Sequence, residues 1–285
     1  MEVPFITIPC LARHTHTVVF LHGRGDNVQN FASSLEYSRD SHNRTLRENF
    51  PSFKWVFPQS PIRQCAARPG DRMRQWFDIW NVENFLDKEE LQATGLRESV
   101  IGIRRILANE AAALGGHWDR VVLAGISQGA ATSVHTLLNL NIPAGPQNTP
   151  RRLGALLGFS CRMPFPGRTL HETRKVLGLE DAADGDEILR NTPALLEHCV
   201  DDPLVLVANG RALRDSLRGF GAQVEWVEYP DGGHWFNSPA GMDDVTRFLN
   251  KHTFGASGTG QNPSTQLEAV PDAMDLSRPS TAAMA

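Results

Sequence analysis

Short apolar runs alternate with longer helical stretches along most of the chain. Several of the runs are continuously apolar, as strands buried on both faces of a parallel sheet are. The pattern predicts an α/β fold with a mainly parallel central sheet and helices on both faces. The predicted strands lie near residues 17–21, 53–57, 120–124, 153–159, 194–198 and 223–229. The predicted helices lie near residues 29–48, 95–115, 128–140, 204–219 and 239–252.

The pattern ends near residue 254. Residues 255–285 are rich in Gly, Ser, Thr, Pro and Ala and show no apolar period. Such a segment cannot bury enough surface to offset the entropy lost on ordering. The sequence therefore predicts a single α/β domain over residues 1–254 and a disordered tail over 255–285.

Composition and charge exclude several function classes. A net charge of −4 and a pI near 6.2 give no electrostatic reason to expect nucleic acid or an anionic membrane as partner. The N-terminus lacks the features of a signal peptide, and no apolar run is long enough to cross a bilayer, so we expect a cytoplasmic protein. The cysteines are too widely spaced for a zinc site or a disulfide framework and are predicted to be free thiols; they are Cys10, Cys65, Cys161 and Cys199.

The most informative motif is GISQG at residues 125–129, between a predicted strand and a predicted helix. A G-x-S-x-G in that position is typical of the nucleophile elbow of an α/β-hydrolase, with Ser127 as the nucleophile. The small flanking residues suit it because the helix passes close to the strand. The alternative is an ordinary glycine-rich turn in which the serine caps the helix.

A serine nucleophile needs a base to take its proton and a carboxylate to orient that base. In α/β-hydrolases these partners follow the serine in the order acid, then histidine. His234 follows the last predicted strand and fits the base. Asp201 and Asp202 both follow the preceding strand, and spacing alone does not choose between them. Asp231 is a third option, although its place beside two glycines suits a turn.

The developing oxyanion needs two backbone N–H groups. The first is expected from Gln128, which follows the nucleophile at the start of its helix. The second is expected from the glycine-containing loop over residues 22–26, after the first predicted strand.

Taken together, these motifs resemble the acyl-protein thioesterase and phospholipase/carboxylesterase group of α/β-hydrolases. The matching segments are LHGRGD at 21–26, WFD at 76–78, GISQGA at 125–130, SCRMP at 160–164 and HCVDDPLV at 198–205. The resemblance implies that Asp202 is the acid and that the Arg24 N–H is the second oxyanion donor. It also implies a place for Trp76 and Phe77 in the wall near the site, and the alternative is that both are core aromatics.

The chain departs from the family pattern at two places that bear on the substrate. Arg24 stands where the family usually has leucine, which puts a cation beside the acyl site. The chain is also longer than typical members over about 163–192, a segment that we interpret as a surface insertion or a lid over the site.

The sequence thus predicts a serine carboxylesterase or thioesterase that acts through an acyl-enzyme on a small molecule or an acylated protein. No metal and no organic cofactor are required. One alternative is a hydrolase of a small polar or anionic ester in a specialised metabolic pathway. The other is a ligand-sensing protein that keeps the hydrolase fold with little turnover.

Overall fold

Seven strands form the central sheet, in the order β1-β3-β2-β6-β7-β8-β9. All neighbouring pairs are parallel except β1 with β3. The sheet strands are β1 (Phe5–Ile8), β2 (His16–Leu21), β3 (Phe53–Pro58), β6 (Val121–Ile126), β7 (Ala155–Phe159), β8 (Ala194–Cys199) and β9 (Val224–Tyr229). The mainly parallel sheet is therefore confirmed. The sequence pattern missed the edge strand β1 and a separate hairpin of β4 (Ile62–Gln64) and β5 (Arg72–Arg74).

The structure is a computed structural model, and it describes residues 2–144 and 150–254. The predicted tail over 255–285 lies outside the described residues. Within them, no helix combines the length and the apolar character needed to span a membrane. The predicted cytoplasmic location stays a prediction. All four cysteines are free, as expected.

Helices cover both faces of the sheet, and each face has its own apolar core. One core joins the sheet to α3, α4, α5, α6 and α7, and the other joins it to α1, α2 and α8. The helices are α1 (Val28–Ser34), α2 (Leu46–Asn49), α3 (Leu91–Ala113), α4 (Gln128–Leu138), α5 (Leu170–Leu177), α6 (Glu187–Asn191), α7 (Val207–Gly219) and α8 (Ala240–Thr253). The site described below lies at the carboxyl end of the parallel strands, between these two layers.

The helix predicted near 29–48 was wrong as one element. The chain forms α1, a short 3₁₀ turn at Leu35–Tyr37 and then α2. The interruption has a local cause, because the Asp40 carboxylate accepts hydrogen bonds from the backbone N–H groups of His42 and Arg44. Aspartate commonly competes with helix formation in this way.

Glu197 on β8 is a buried carboxyl group in the sheet. Its side chain is 3% exposed, and neither carboxylate oxygen has a hydrogen-bond partner among the described residues. Burial, reinforced by the nearby charge of Asp244, raises the pKa of Glu197 well above its ordinary value. Glu197 therefore keeps its proton to a higher pH than an exposed glutamate does.

We expect Glu197→Gln to stabilise the protein at alkaline pH. A carboxyl whose pKa is raised on folding stabilises the fold below the ordinary glutamate pKa and loses that contribution as the pH rises through the raised value. The variant should melt about 3 °C higher than wild type at about pH 8, with a smaller difference at about pH 5. The control is Glu180→Gln, at an exposed glutamate. A pH-independent difference between Glu197→Gln and wild type would contradict the expectation.

Candidate active site

Ser127 lies in the tight turn between β6 and α4. Its backbone φ of 55° and ψ of −122° are unusual for a residue with a side chain. Its N–H donates to the carbonyl of Phe159 at 2.9 Å, which fixes the turn against the neighbouring strand β7. Its hydroxyl makes no hydrogen bond within the part of the chain that the structure describes. The turn therefore presents a strained serine with an uncommitted hydroxyl at the start of a helix.

The two glycines of the motif are required by the close approach of backbone to backbone. A Cβ atom at Gly129 would lie 2.4 Å from the carbonyl oxygen of Leu21 and 2.5 Å from that of His22. A Cβ atom at Gly125 would lie 2.5 Å from the carbonyl carbon of Gly129. This packing of α4 against β2 and β6 fits the predicted elbow, and the Ser127 side chain makes no capping hydrogen bond to α4.

We expect Gly129→Ala to destabilise the fold by about 3 kcal/mol or more, because the new methyl group meets backbone that cannot rotate away. The matched control is Gly219→Ala. Gly219 ends α7, has open space around its Cα, and should accept alanine with little change or a slight gain in stability. Urea denaturation of both variants checks the difference. Equal unfolding midpoints for Gly129→Ala and wild type would show that the turn has room for a side chain.

His234 and Asp202 are joined by a short hydrogen bond. The distance from His234 Nδ1 to Asp202 Oδ2 is 2.7 Å. A carboxylate only accepts, so Nδ1 carries the proton and Nε2 is left as an acceptor. Asp202 is 2% exposed, whereas His234 reaches the surface of the cavity that Ser127 also lines. The structure thus pairs His234 with Asp202 and places Ser127 and His234 in the lining of the same cavity.

Asp202 is held as a carboxylate by an unusually dense set of donors. Its Oδ1 accepts from the N–H groups of Leu204 and Val205, each at 2.9 Å. His198 Nε2 lies 3.4 Å from Oδ2 and also 2.7 Å from the carbonyl oxygen of Val205. Burial opposes ionisation, but hydrogen bonds from His198, His234 and Val205 outweigh it and hold the pKa of Asp202 well below its ordinary value.

The neighbouring Asp201 has a different place. Its Oδ1 accepts from the N–H of Gly233 at 2.8 Å, so it fixes the loop just before His234 and makes no contact with the imidazole. The carbonyl oxygen of Asp231 accepts from the Asn237 side chain at 3.0 Å and helps to shape the same loop. The three aspartates therefore have different contacts. Asp202 accepts a hydrogen bond from His234, whereas Asp201 and Asp231 hold the loop around it.

Two backbone N–H groups near Ser127 are available as anion donors. Gln128 is the first residue of α4, where an N–H has no partner inside its own helix. Neither this N–H nor that of Arg24 donates a hydrogen bond within residues 2–144 and 150–254. A Cβ atom at Gly23 would lie 3.7 Å from the Cβ of Ser127, which places the loop of Arg24 directly beside the serine.

The side chain of Gln128 fastens a second segment to the elbow. Its Oε1 accepts from the N–H of Trp76 at 2.8 Å, and its Nε2 donates to the carbonyl of Phe77 at 2.7 Å. Trp76 also donates from its indole to the carbonyl of His22 at 2.8 Å. Both aromatic side chains are fully buried, but only Phe77 is among the lining residues of the cavity in the described chain. Of the two predicted wall residues, only Phe77 therefore borders the cavity.

A cavity of about 990 Å³ opens above Ser127. Its mouth carries exposed apolar side chains from two loops, namely Val82, Leu86, Leu204 and Leu206. The segment over 163–192 contributes only Met163 and Pro166 to the lining. The rest of it forms α5 and α6, which bury Leu177 and Leu189 in the core beside α3 and α4. The interpretation of this segment as a lid does not fit its position, because its helices cover the core and the loops 79–86 and 203–206 border the mouth.

Two arginines line the cavity from the loops that follow β2 and β7, the strands on either side of β6. Arg24 comes three residues after β2, and Arg162 comes three residues after β7. Arg24 donates from Nε to Gln75 Oε1 at 2.8 Å, and burial lowers its pKa below the ordinary arginine value. Arg162 belongs to a motif noted in the sequence, but no pattern there indicated that its side chain would reach the cavity.

One group of possible metal ligands lies on the surface instead of in the cavity. Ligand atoms of Asp40, His42 and Asp243 lie within 4.8 Å of one another. Their oxygens already accept hydrogen bonds from the chain: Asp40 from the N–H of Arg44, and Asp243 from the N–H of Ser41. The arrangement is that of a hydrogen-bonded loop.

A family model described as phospholipase/carboxylesterase matches residues 4–253. The chain belongs to the phospholipase/carboxylesterase family. The predicted α/β-hydrolase fold and the predicted hydrolase of the esterase type are thereby confirmed.

Several named members of the phospholipase/carboxylesterase family align with nearly the whole described chain. Acyl-protein thioesterase 1 of Gibberella zeae is 29% identical over 250 residues, which are 86% of this chain and 94% of that protein. Acyl-protein thioesterase 1 of Yarrowia lipolytica is 27% identical over 252 residues, which are 87% of this chain and 95% of that protein. The crystal structure of Zea mays acyl-protein thioesterase 2 has a TM-score of 0.65 at 26% identity and covers 88% of this chain and 99% of its own.

Proposed function

We propose that the protein hydrolyses carboxylic esters or thioesters with Ser127 as nucleophile, His234 as general base and Asp202 as the acid that orients it. The observation that supports this most is the 2.7 Å contact of His234 with Asp202 at the edge of the cavity in which the Ser127 hydroxyl stands. In unliganded enzymes the contact between serine and histidine is often long and tightens when substrate binds.

In the first half of the reaction, Ser127 Oγ attacks the carbonyl carbon while His234 Nε2 takes its proton. The negative charge on the carbonyl oxygen is met by the N–H groups of Arg24 and Gln128, each of which lowers the barrier by about 3 kcal/mol. When the tetrahedral intermediate collapses, the bond to the leaving oxygen or sulfur breaks and His234 donates the proton to it. The products of this half are the free alcohol or thiol and the acyl-enzyme.

In the second half, His234 removes a proton from water, whose oxygen attacks the acyl carbon. The bond to Ser127 Oγ then breaks, and the serine recovers the proton from His234. Asp202 remains ionised throughout and stabilises the imidazolium that forms in both halves. These residues carry out every proton transfer, and the steps require no metal and no organic cofactor.

Two classes of substrate are candidates for the acyl group. The relatives named acyl-protein thioesterase support an acylated protein as one substrate class, and the exposed apolar rim of the cavity supports contact with an apolar moiety. A small ester with an anionic group is the second candidate, because Arg24 places a guanidinium in the lining.

The test combines a fluorophosphonate probe with a chromogenic short-chain ester. We expect the probe to label the protein once, at Ser127 by peptide mass spectrometry, and to abolish turnover in proportion to labelling. Labelling elsewhere would overturn the assignment of the nucleophile. Tight ligand binding with negligible turnover of ester and thioester panels would favour the ligand-sensing alternative.

A further inference from the structure

Arg162 is a buried cation in the cavity wall that the proposed chemistry does not use. It is 6% exposed, and its side chain still contributes to the lining. Burial lowers its pKa to about 10, so the guanidinium keeps its charge at neutral pH. Burying a charge is costly unless a partner meets it. The buried charge of Arg162 therefore requires a partner.

Within the described chain, the guanidinium is only partly satisfied. Nη2 donates to Gln92 Oε1 at 2.8 Å, and the guanidinium carbon lies 4.0 Å from the ring centroid of Phe85 and 5.9 Å from that of Phe77. These contacts orient the planar group and supply part of its stabilisation. Arg162 forms no ion pair with any carboxylate of residues 2–144 and 150–254.

The nearest candidate for such a pair is already engaged. Glu89 accepts from the N–H of Phe165 at 2.7 Å and pairs with Arg168 at 3.6 Å. Its charge acts on Arg162 only at longer range. Arginine presents five donors in a fixed fork that matches a carboxylate. Nε and Nη1 of Arg162 make no hydrogen bond within the described residues, and the residue lines the cavity.

Arg162 lies beside Phe77 and Phe85, which belong to the core of one face of the sheet. Phe77 and Met163 belong to the apolar core shared with α3 and α4, whereas Trp235 packs on the core of the opposite face, next to His234. Because His234 protonates the leaving group, the leaving group lies toward its wall. The acyl group then extends toward the wall that contains Arg162.

We propose that Arg162 binds a carboxylate at the far end of the acyl group, so that the substrate is a half-ester or half-thioester of a dicarboxylic acid. This inference rests on the proposed function and specifies its acyl group. The carboxylate completes the fork of Arg162, and Phe77 and Phe85 enclose the methylene groups between it and the scissile carbonyl. Hydrolysis of the acyl-enzyme by water then releases the free dicarboxylate and restores the Ser127 hydroxyl.

The first experiment compares matched chromogenic esters on the wild-type enzyme. The anionic series is the 4-nitrophenyl half-esters of succinic, glutaric, adipic and pimelic acids, and the neutral series is their methyl-terminated counterparts with the same leaving group. We expect kcat/KM for the best half-ester to exceed that of its neutral counterpart by about 30-fold or more. Free dicarboxylate should inhibit competitively at concentrations at least about tenfold below the matching monocarboxylate.

The second experiment replaces Arg162. Arg162→Met keeps most of the side-chain length and removes the charge, and it should lower the ratio of kcat/KM for the half-ester to kcat/KM for the neutral ester by about 30-fold, mainly by raising KM for the half-ester. Arg162→Lys keeps a charge without the fork and should lose less. Melting temperature and fluorophosphonate labelling control for folding.

The outcomes separate the two proposals. If wild type turns over the neutral esters but shows no preference for any half-ester, the assignment of Arg162 is overturned and the proposed hydrolase stands. Equal losses on both ester series in a folded Arg162→Met would also overturn it and leave Arg162 as packing. If wild type neither labels nor turns over any ester, the proposed function itself fails. The comparison of half-esters with neutral esters on the wild-type enzyme tests the role of Arg162 even if Arg162→Met does not fold.

Discussion

Replacing Ser127 with alanine is expected to lower kcat by about 10⁶-fold and to abolish fluorophosphonate labelling. Without the hydroxyl, no acyl-enzyme forms, and only binding and the two backbone donors remain to assist attack by water. Stability should be unchanged or slightly raised, since the strained φ of 55° remains and the polar atom is lost. Initial rates with a chromogenic ester and thermal melting measure the two effects.

The chain offers a matched control in Ser160. This serine also follows a sheet strand, has a positive φ of 47° and is buried, with an Oγ that lacks a partner in the described chain. Ser160→Ala should retain activity within about threefold. If Ser127→Ala kept measurable labelling or more than about one hundredth of wild-type kcat, Ser127 would not be the nucleophile.

The second large effect is expected from Asp202→Asn, with a loss of about 10⁴ in kcat. An asparagine has one oxygen where Asp202 uses two. That oxygen is required by the N–H groups of Leu204 and Val205, so the NH₂ group faces His234. The imidazole must then accept at Nδ1 and carry its proton on Nε2. In this tautomer it cannot take the proton of the nucleophile.

Asp201→Asn is the control for the second prediction. Asparagine can still accept the hydrogen bond from Gly233 through its side-chain oxygen, so the loop before His234 should hold. We expect kcat within about threefold of wild type. Comparable losses in both variants would mean that the loop position matters more than the protonation pattern of the imidazole. That result would contradict the role proposed for Asp202.

The elbow could be predicted from the sequence because its determinants are local. Two glycines flank Ser127, a β-rich run precedes it and a helical stretch follows, and the close approach of Gly129 to β2 follows from that arrangement. The acid was harder to predict. Asp201 and Asp202 are adjacent, and the direction in which each side chain points depends on the turn after β8 and on the loop at Gly233, 32 residues away from Asp201. The family resemblance supplied the choice that local reasoning did not.

The walls of the cavity could not be predicted because they depend on contacts distant in sequence. Gln92 meets Arg162 across 70 residues, and Gln128 meets Trp76 across 52. No period or motif marks the loop over 79–86, which forms part of the mouth. The extra length over 163–192 allowed either a surface insertion or a lid, and its helices have apolar faces that pack on α3 and α4. Length alone gives no information on where an insertion packs.

Gln128 has a consequence for altering the substrate range of this protein. In the proposed mechanism its backbone N–H donates to the reacting oxygen, while its side chain holds the backbone of the segment that bears Phe77. Substitutions at Phe77 that displace its main-chain carbonyl are therefore expected to slow turnover as well as to change selectivity. Val82 and Leu206 make no hydrogen bond with Gln128 in the described chain. Libraries randomised at those two positions should therefore yield new selectivities without a loss of kcat.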